Sequence, residues 1–175
     1  MNEDSFDIIV VGAGHAGCEA ALACSRMGAR TLLTTLNLFT IGQMSCNPAI
    51  GGIAKGHLVK EIDSLGGEMG VVADETALQF RMLNRSKGPA VWALRTQNDR
   101  LGYSWRMRRS IENQPNLYLR QLQITGLLFD QGRLAGVVTE IGTQLRAQAV
   151  IICSGTFLNG LIHIGMVHFP GGRAG

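Results

Sequence analysis

The sequence is short of aromatic side chains (6%) and of charge (17%), has only four prolines, and contains no apolar run longer than a strand. A bilayer-spanning helix needs roughly 20 consecutive apolar residues, so a transmembrane segment and a membrane partner are not expected. No basic stretch precedes the first apolar segment, which follows Glu3, Asp4 and Asp7 closely. That argues against a signal peptide and makes the cytoplasm the expected compartment. Cysteine occurs as Cys18, Cys24, Cys46 and Cys153, in no CxxC pair and at no zinc-ligand spacing, so no metal site is expected. Cys18 and Cys24 fall within an alanine-rich helical pattern and Cys153 at the end of an apolar strand, where cysteine acts as a small hydrophobe. Cys46 alone falls in a loop.

What is present is glycine, 23 residues in 175, and a 46% hydrophobic content. Short β-branched runs separated by glycine turns fit a parallel sheet buried on both faces. Residues 6–11 read as a buried strand, 15–27 as a helix stopped at Gly28, and 31–35 as a second strand. A glycine-rich loop over 42–52 leads to a helix through about Leu65, with Ile53, Leu58, Val59, Ile62 and Leu65 as its apolar stripe. Residues 78–83 read as a strand and 84–90 as a polar loop. A basic helix is expected over about 97–113, capped by Asn98 or Asp99 and stopped before Pro115. Residues 117–122 read as a strand. Three segments (124–129, 134–140, 144–148) form an antiparallel meander, and 149–153 returns as a separate buried strand before Ser154-Gly155-Thr156. The expected fold is α/β: a Rossmann-like FAD-binding domain with a parallel sheet flanked by helices plus a β-meander. The whole chain, 1–175, reads as the first part of that domain. It divides into a βαβ unit (1–37), a cysteine loop and helical region (42–115), and the meander with its returning strand (116–156). The terminal Gly171-Gly172-Arg173-Ala174-Gly175 closes no element, so the domain is expected to be truncated before it closes.

The chemistry begins at Gly12-Ala13-Gly14-His15-Ala16-Gly17, a G-x-G-x-x-G directly after a strand and opening a helix. The first glycine makes a tight turn, the second admits the pyrophosphate to the backbone, and the third allows close helix–strand packing. The helix amides and dipole then hold the phosphates. His15 either faces the phosphate or flanks the turn. The acidic residue usual about 20 positions on, which binds ribose, is missing; that region reads Thr34-Thr35-Leu36-Asn37, leaving Asn37 as the ribose candidate. The meander followed by Ser154-Gly155-Thr156 resembles the FAD domain of two-dinucleotide-domain flavoproteins. That resemblance implies FAD rather than NAD, an adenine contact through the Ile124 backbone, and Thr156 near the cofactor.

Gly42-Gln43-Met44-Ser45-Cys46-Asn47-Pro48-Ala49-Ile50-Gly51-Gly52 is followed by Ile53-Ala54-Lys55-Gly56-His57-Leu58-Val59-Lys60-Glu61. Together with Arg85-Ser86-Lys87-Gly88-Pro89-Ala90 and the terminal glycine-rich stretch, it resembles the GidA/MnmG family along essentially the whole chain. The resemblance implies FAD-dependent addition of a carboxymethylaminomethyl-type group at C5 of the tRNA wobble uridine. It further implies NADH and methylene-tetrahydrofolate as co-substrates, a homodimer, and a heterotetramer with an MnmE-type GTPase. The family's first functional cysteine falls on Cys46, and the second falls beyond Gly175, so this chain alone is expected to be inactive. A thiolate adding at uridine C6 would make C5 nucleophilic; the alternative is an acid/base role for Cys46, with the second cysteine as nucleophile. Two other readings stand beside this one: a small-molecule flavin oxidoreductase, and a non-catalytic FAD-binding module. Nine of the sixteen lysines and arginines lie between Arg81 and Arg120, the distribution of either a phosphate-binding surface or a solvated helix face.

Overall fold

A computed structural model describes residues 4–173, so Glu3, Ala174 and Gly175 lie outside the described residues. The elements are β1 (Ser5–Val11), α1 (His15–Arg26), β2 (Thr31–Thr35), β3 (Ala49–Gly51), α2 (Lys55–Ser64), α3 (Met69–Glu75), β4 (Ala77–Leu83), β5 (Ala93–Asn98) and α4 (Arg100–Glu112). Then follow β6 (Leu117–Gln121), β7 (Ile124–Asp130), β8 (Arg133–Thr139), β9 (Gln144–Ile152), β10 (Leu161–Ile164) and β11 (Val167–Pro170). The main sheet has the order β6-β2-β1-β9-β8-β7. Its first four strands are parallel, and β8 and β7 continue it antiparallel. The architecture is thus the expected α/β, Rossmann-like one.

Local chemistry explains the βαβ unit. The alanine-rich α1 ends where Gly28 takes φ +93°, and Gly28 N–H bonds Ser25 O while Ala29 N–H bonds Cys24 O. This is a Schellman closure, which satisfies two carbonyls that a helix end leaves open. One face of the sheet (Val10, Leu33) packs on α1, α3 and α4 through Cys18, Leu22, Val72, Tyr103 and Met107. The other face (Phe6, Ile9, Leu32) is covered by Val137, Leu145 and Ala147 of the meander. Helices therefore lie against one face only. Among the described residues, no helix is long and apolar enough to cross a membrane.

Several expectations need correction. The third meander segment and the returning strand are one strand: β9 pairs antiparallel with β8 at residues 144–146 and parallel with β1 from Arg146 onward. The strand runs on because Leu145 and Ala147 are buried in the second core while Gln144, Arg146 and Gln148 alternate to the exposed side, and residues 146–152 keep their parallel bonds to β1. The region 42–115 is not simply helical. It holds a three-stranded antiparallel sheet, β3-β5-β4, and a short α3. The basic helix starts at Arg100 rather than near Gln97, because Asn98 ends β5 and is buried, donating to Ala73 O (2.6 Å) and Thr76 Oγ1 (3.1 Å). Asp99 is the cap, accepting from Leu101 N and Gly102 N at 2.9 Å. The stripe assigned to α2 is not core either. Ile53, Leu58 and Leu65 are exposed, and the helix's one buried residue is Gly56, where a Cβ would meet Leu94 O at 2.7 Å.

A polar clamp ties the helices together. Glu19 of α1 accepts from Glu68 N (3.0 Å) and Met69 N (2.5 Å), doing for α3 what a cap residue would. The Glu68 carboxylate takes Arg26 of α1, and Ser110 (2.6 Å) and Arg106 (3.4 Å) of α4. Burial alone would raise the Glu68 pKa; the Ser110 hydroxyl and the two guanidiniums outweigh it and hold the carboxyl below its usual range. Its share of stability is therefore complete above the ordinary glutamate pKa and fades as pH falls through the lowered one. Glu68→Gln should cost about 2–4 kcal/mol in urea denaturation at neutral pH. At acid pH the gap to wild type should narrow, and a gap independent of pH would refute the clamp.

Candidate dinucleotide and cysteine-loop site

The carboxyl ends of β1, β2 and β9 form one edge, with β1 between the other two. In a sheet of this kind the ligand crevice lies at that edge, where the strand order reverses. Gly12 follows β1 at φ +102°, and a Cβ there would lie 2.4 Å from Cys153 O. A Cβ on Gly17 would lie 1.7 Å from Gly12 O. Both glycines are thus demanded by packing between α1, the turn and the end of β9. Gly14 is different: it caps α1, it is exposed, and nothing stands within 4 Å of where its Cβ would be. The exposed Ala16 lies beside it. No acceptor among the described residues takes the amides of His15, Ala16 and Gly17. A helix start with open amides and no side chain on its approach is a fitted cradle for a diphosphate.

His15 is the first residue of α1, with its ring tilted against Tyr103 at 5.6 Å between centroids. Its Nε2 is buried without a hydrogen-bond partner among the described residues, as is the Tyr103 hydroxyl. Burial pushes the imidazole pKa down, so at neutral pH it supplies no positive charge to a phosphate. His15 flanks the turn. Asn37 stands two residues after β2, where the ribose-binding acid of such folds sits. Its Oδ1 accepts from Phe39 N at 2.8 Å, which leaves its amide nitrogen to donate outward. Leu122 N–H bonds Thr35 O at 3.0 Å, so the chain enters β7 from the same edge. Ile124 opens β7 and, like Val11, packs against the second core. Thr156 follows β9, and its hydroxyl donates to Gly172 O at 2.7 Å. The glycine turn, Asn37 and Thr156 thus follow the carboxyl ends of β1, β2 and β9, and the segment leading to Ile124 is bonded to the end of β2.

The cysteine loop is fastened to that edge. Gly42 N–H bonds Ala13 O at 2.9 Å, and the Cys18 thiol donates to the same carbonyl at 3.4 Å. Met44 is buried, while Cys46 is exposed and its carbonyl accepts from Arg100 Nη2 at 2.6 Å. Four residues separate Cys46 from Gly42, a reach of at most about 14 Å from the turn. The other three cysteines ionise less readily than an ordinary thiol. Burial pushes the Cys18 thiol up to about 12, and burial likewise raises Cys24 and Cys153. Arg100, Tyr103 and the Gln43–Arg173 contact shape this site but carry no motif. Arg100 was visible in the sequence only as one member of the basic cluster.

A family model described as Glucose inhibited division protein A matches residues 7–175. The chain belongs to this GidA family. It is 58% identical over 173 residues to the tRNA uridine 5-carboxymethylaminomethyl modification enzyme MnmG of Geobacter sulfurreducens. It is 59% identical over the same length to the enzyme so named from Thermodesulfovibrio yellowstonii. Each comparison covers 99% of this chain and 28% of the relative. The GidA structure from Aquifex aeolicus in its form II crystal superposes with a TM-score of 0.94 at 52% identity, over 99% of this chain and 29% of that one. The chain thus spans a little over a quarter of the length of the relatives it matches.

The glycine geometry separates two substitutions. Gly17→Ala drives a methyl into the Gly12 carbonyl and should destabilise by about 3 kcal/mol or more, a fall in Tm of roughly 6–12 °C for a chain of this size. Gly14→Ser meets open space and supplies a better helix cap, so its Tm should equal or exceed the wild type's. Thermal denaturation followed by circular dichroism checks both, and a large loss for Gly14→Ser would contradict the open approach.

Proposed function

We propose that this chain is the FAD-binding part of an enzyme that adds a carboxymethylaminomethyl-type group at C5 of the wobble uridine of tRNA. What carries the reading is the bond from Gly42 to Ala13. It couples an exposed cysteine to a dinucleotide turn in a chain 58% identical to enzymes named for that modification. The chain's residues fit FAD: the open amides of residues 15–17 take the diphosphate, the Asn37 amide nitrogen meets the ribose, the Ile124 backbone pairs with adenine, and Thr156 lies beside the cofactor. The bound flavin supplies the redox chemistry that side chains lack. Cys46 meets the uracil ring, either adding to C6 or moving the proton at C5. Arg100 fixes the Cys46 backbone, so the thiol approaches the base from a defined position. In this reading NADH and methylene-tetrahydrofolate are co-substrates, the working protein is a cytoplasmic homodimer, and an MnmE-type GTPase completes a heterotetramer.

Three measurements test it. Deleting the gene and digesting bulk tRNA for nucleoside mass spectrometry should remove the modified wobble uridine; unchanged tRNA ends the proposal. Complementation with full-length Cys46→Ala should leave modification at least about 100-fold below wild type. Full-length Gly14→Ser should fold yet purify with much less flavin absorbance than wild type. Equal flavin in both would move the cofactor away from the glycine turn.

A further inference from the structure

Beyond the cofactor edge, the small sheet carries a pairing that its own interactions do not explain. Arg81 of β4 and Arg95 of β5 are directly opposite in register. Directly opposed residues have Cβ atoms about 5 Å apart and share a face, and like charges so placed repel. Neither guanidinium has an ion pair or hydrogen bond among the described residues. None of the strands β3, β4 and β5 contains an aspartate or glutamate. The contrast lies within the same basic cluster. Arg106 pairs with Glu75 and Glu68, Arg108 with Glu112, and Arg120 with Asp4.

The pair also has a definite place relative to Cys46. The third residue in its row is Gly51, which faces Arg95 and adds no side chain. The next row is Ala49, Gln97 and Gln79, uncharged throughout. Asn98 N–H bonds Pro48 O at 2.7 Å, and Arg100 holds the Cys46 carbonyl, so the loop is pinned to the end of β5. Five residues from Gly51 to Cys46 span at most about 18 Å. Arg85 and Lys87, both exposed on the turn after β4, extend the positive surface.

We infer that Arg81 and Arg95 jointly bind one backbone phosphate of the RNA strand whose base reaches Cys46, and so position the reacting nucleotide. Two arginine forks facing each other are suited to the oxygens of a phosphate, and an anion between them turns repulsion into attraction. Such a contact fixes register without reading sequence. The cofactor's own diphosphate is not the occupant, since its cradle belongs to the main sheet. The inference rests on the tRNA reading, deepens it, and can fail while that reading stands.

The test uses full-length protein and a tRNA anticodon arm, with affinity measured by fluorescence anisotropy across a salt series. Arg81→Gln and Arg95→Gln should each weaken binding about threefold to tenfold at low salt and reduce the slope of log K against log salt by about one. Because one phosphate is shared, the double variant should lose no more slope than either single one. Arg→Lys at either position should restore most of the slope. KM for tRNA should rise with kcat at saturation little changed, and NADH-driven flavin reduction without RNA should stay at the wild-type rate. In the free protein, Tm should stay level or rise in the Gln variants, since a repulsion has been removed; a structural arginine would give a fall. If wild type binds RNA and the Gln variants bind with the same affinity and slope, the phosphate assignment is overturned alone. If wild type neither binds nor modifies tRNA, the functional reading falls and the assignment with it. Inorganic phosphate that raises the wild-type Tm as much as the anticodon arm does would reassign the pair to free phosphate and overturn the RNA contact.

Discussion

The site depends on a space too small for a side chain, where α1 meets the ends of β1 and β9. Backbone stands where a Cβ of Gly12 or Gly17 would fall, so the helix start, the turn and the returning strand are in direct main-chain contact. Close packing of this kind permits little relaxation. It fixes the direction in which the first amides of α1 are presented, and leaves the Gly14 side open. The tightness of two glycines and the openness of the third are one arrangement, since a looser contact would not hold the cradle still.

From that contact the rest is hung by main-chain bonds. Ala13, the residue between the first two glycines, receives both Gly42 N–H and the Cys18 thiol through its carbonyl. The cysteine loop is therefore referenced to the glycine turn rather than to the surface. Its far end is referenced to the small sheet through Pro48 and Arg100. The Glu19–Glu68 clamp holds α1 against α3 and α4, and α4 contributes Tyr103 beneath His15 and Arg100 beside Cys46. Stability and site geometry are thus carried by the same helices, and a polar network far from any motif sets where the cysteine loop lies.

The legible parts of the sequence were those where local chemistry and the fold agree. The strand at 6–11, the helix stop at Gly28 and the strand at 31–35 each have a local cause, and the structure keeps them. The resemblance to GidA/MnmG along the chain is matched by the family model and the Aquifex aeolicus superposition. The illegible parts were those decided at a distance. β5 has no apolar alternation to betray it; Ala-Leu-Arg-Thr-Gln-Asn is a strand because β3 and β4 bond to it on both sides and Asn98 is satisfied by α3. α2 has an apolar stripe in sequence but buries only Gly56, since a glycine contact with the Leu94 backbone seats it and leaves the leucines outside. The helix pattern was right and the face was wrong, because periodicity reports that a face exists and not what covers it.

The basic cluster shows the same limit in electrostatic form. In sequence its nine cations look alike, a surplus set against two acids. In the fold, two of its arginines reach acids outside that window, Arg106 finding Glu68 and Glu75 and Arg120 finding Asp4, while Arg108 takes Glu112 within it, one helical turn away. Charge density along a chain therefore overstates the surface available to a polyanion, because long-range pairing removes members of the count. What remains to meet an anion is defined by strand register, which sets Arg81 against Arg95 with no acid on their sheet. A sequence can supply the surplus, but only the pairing of strands decides where it is left unspent.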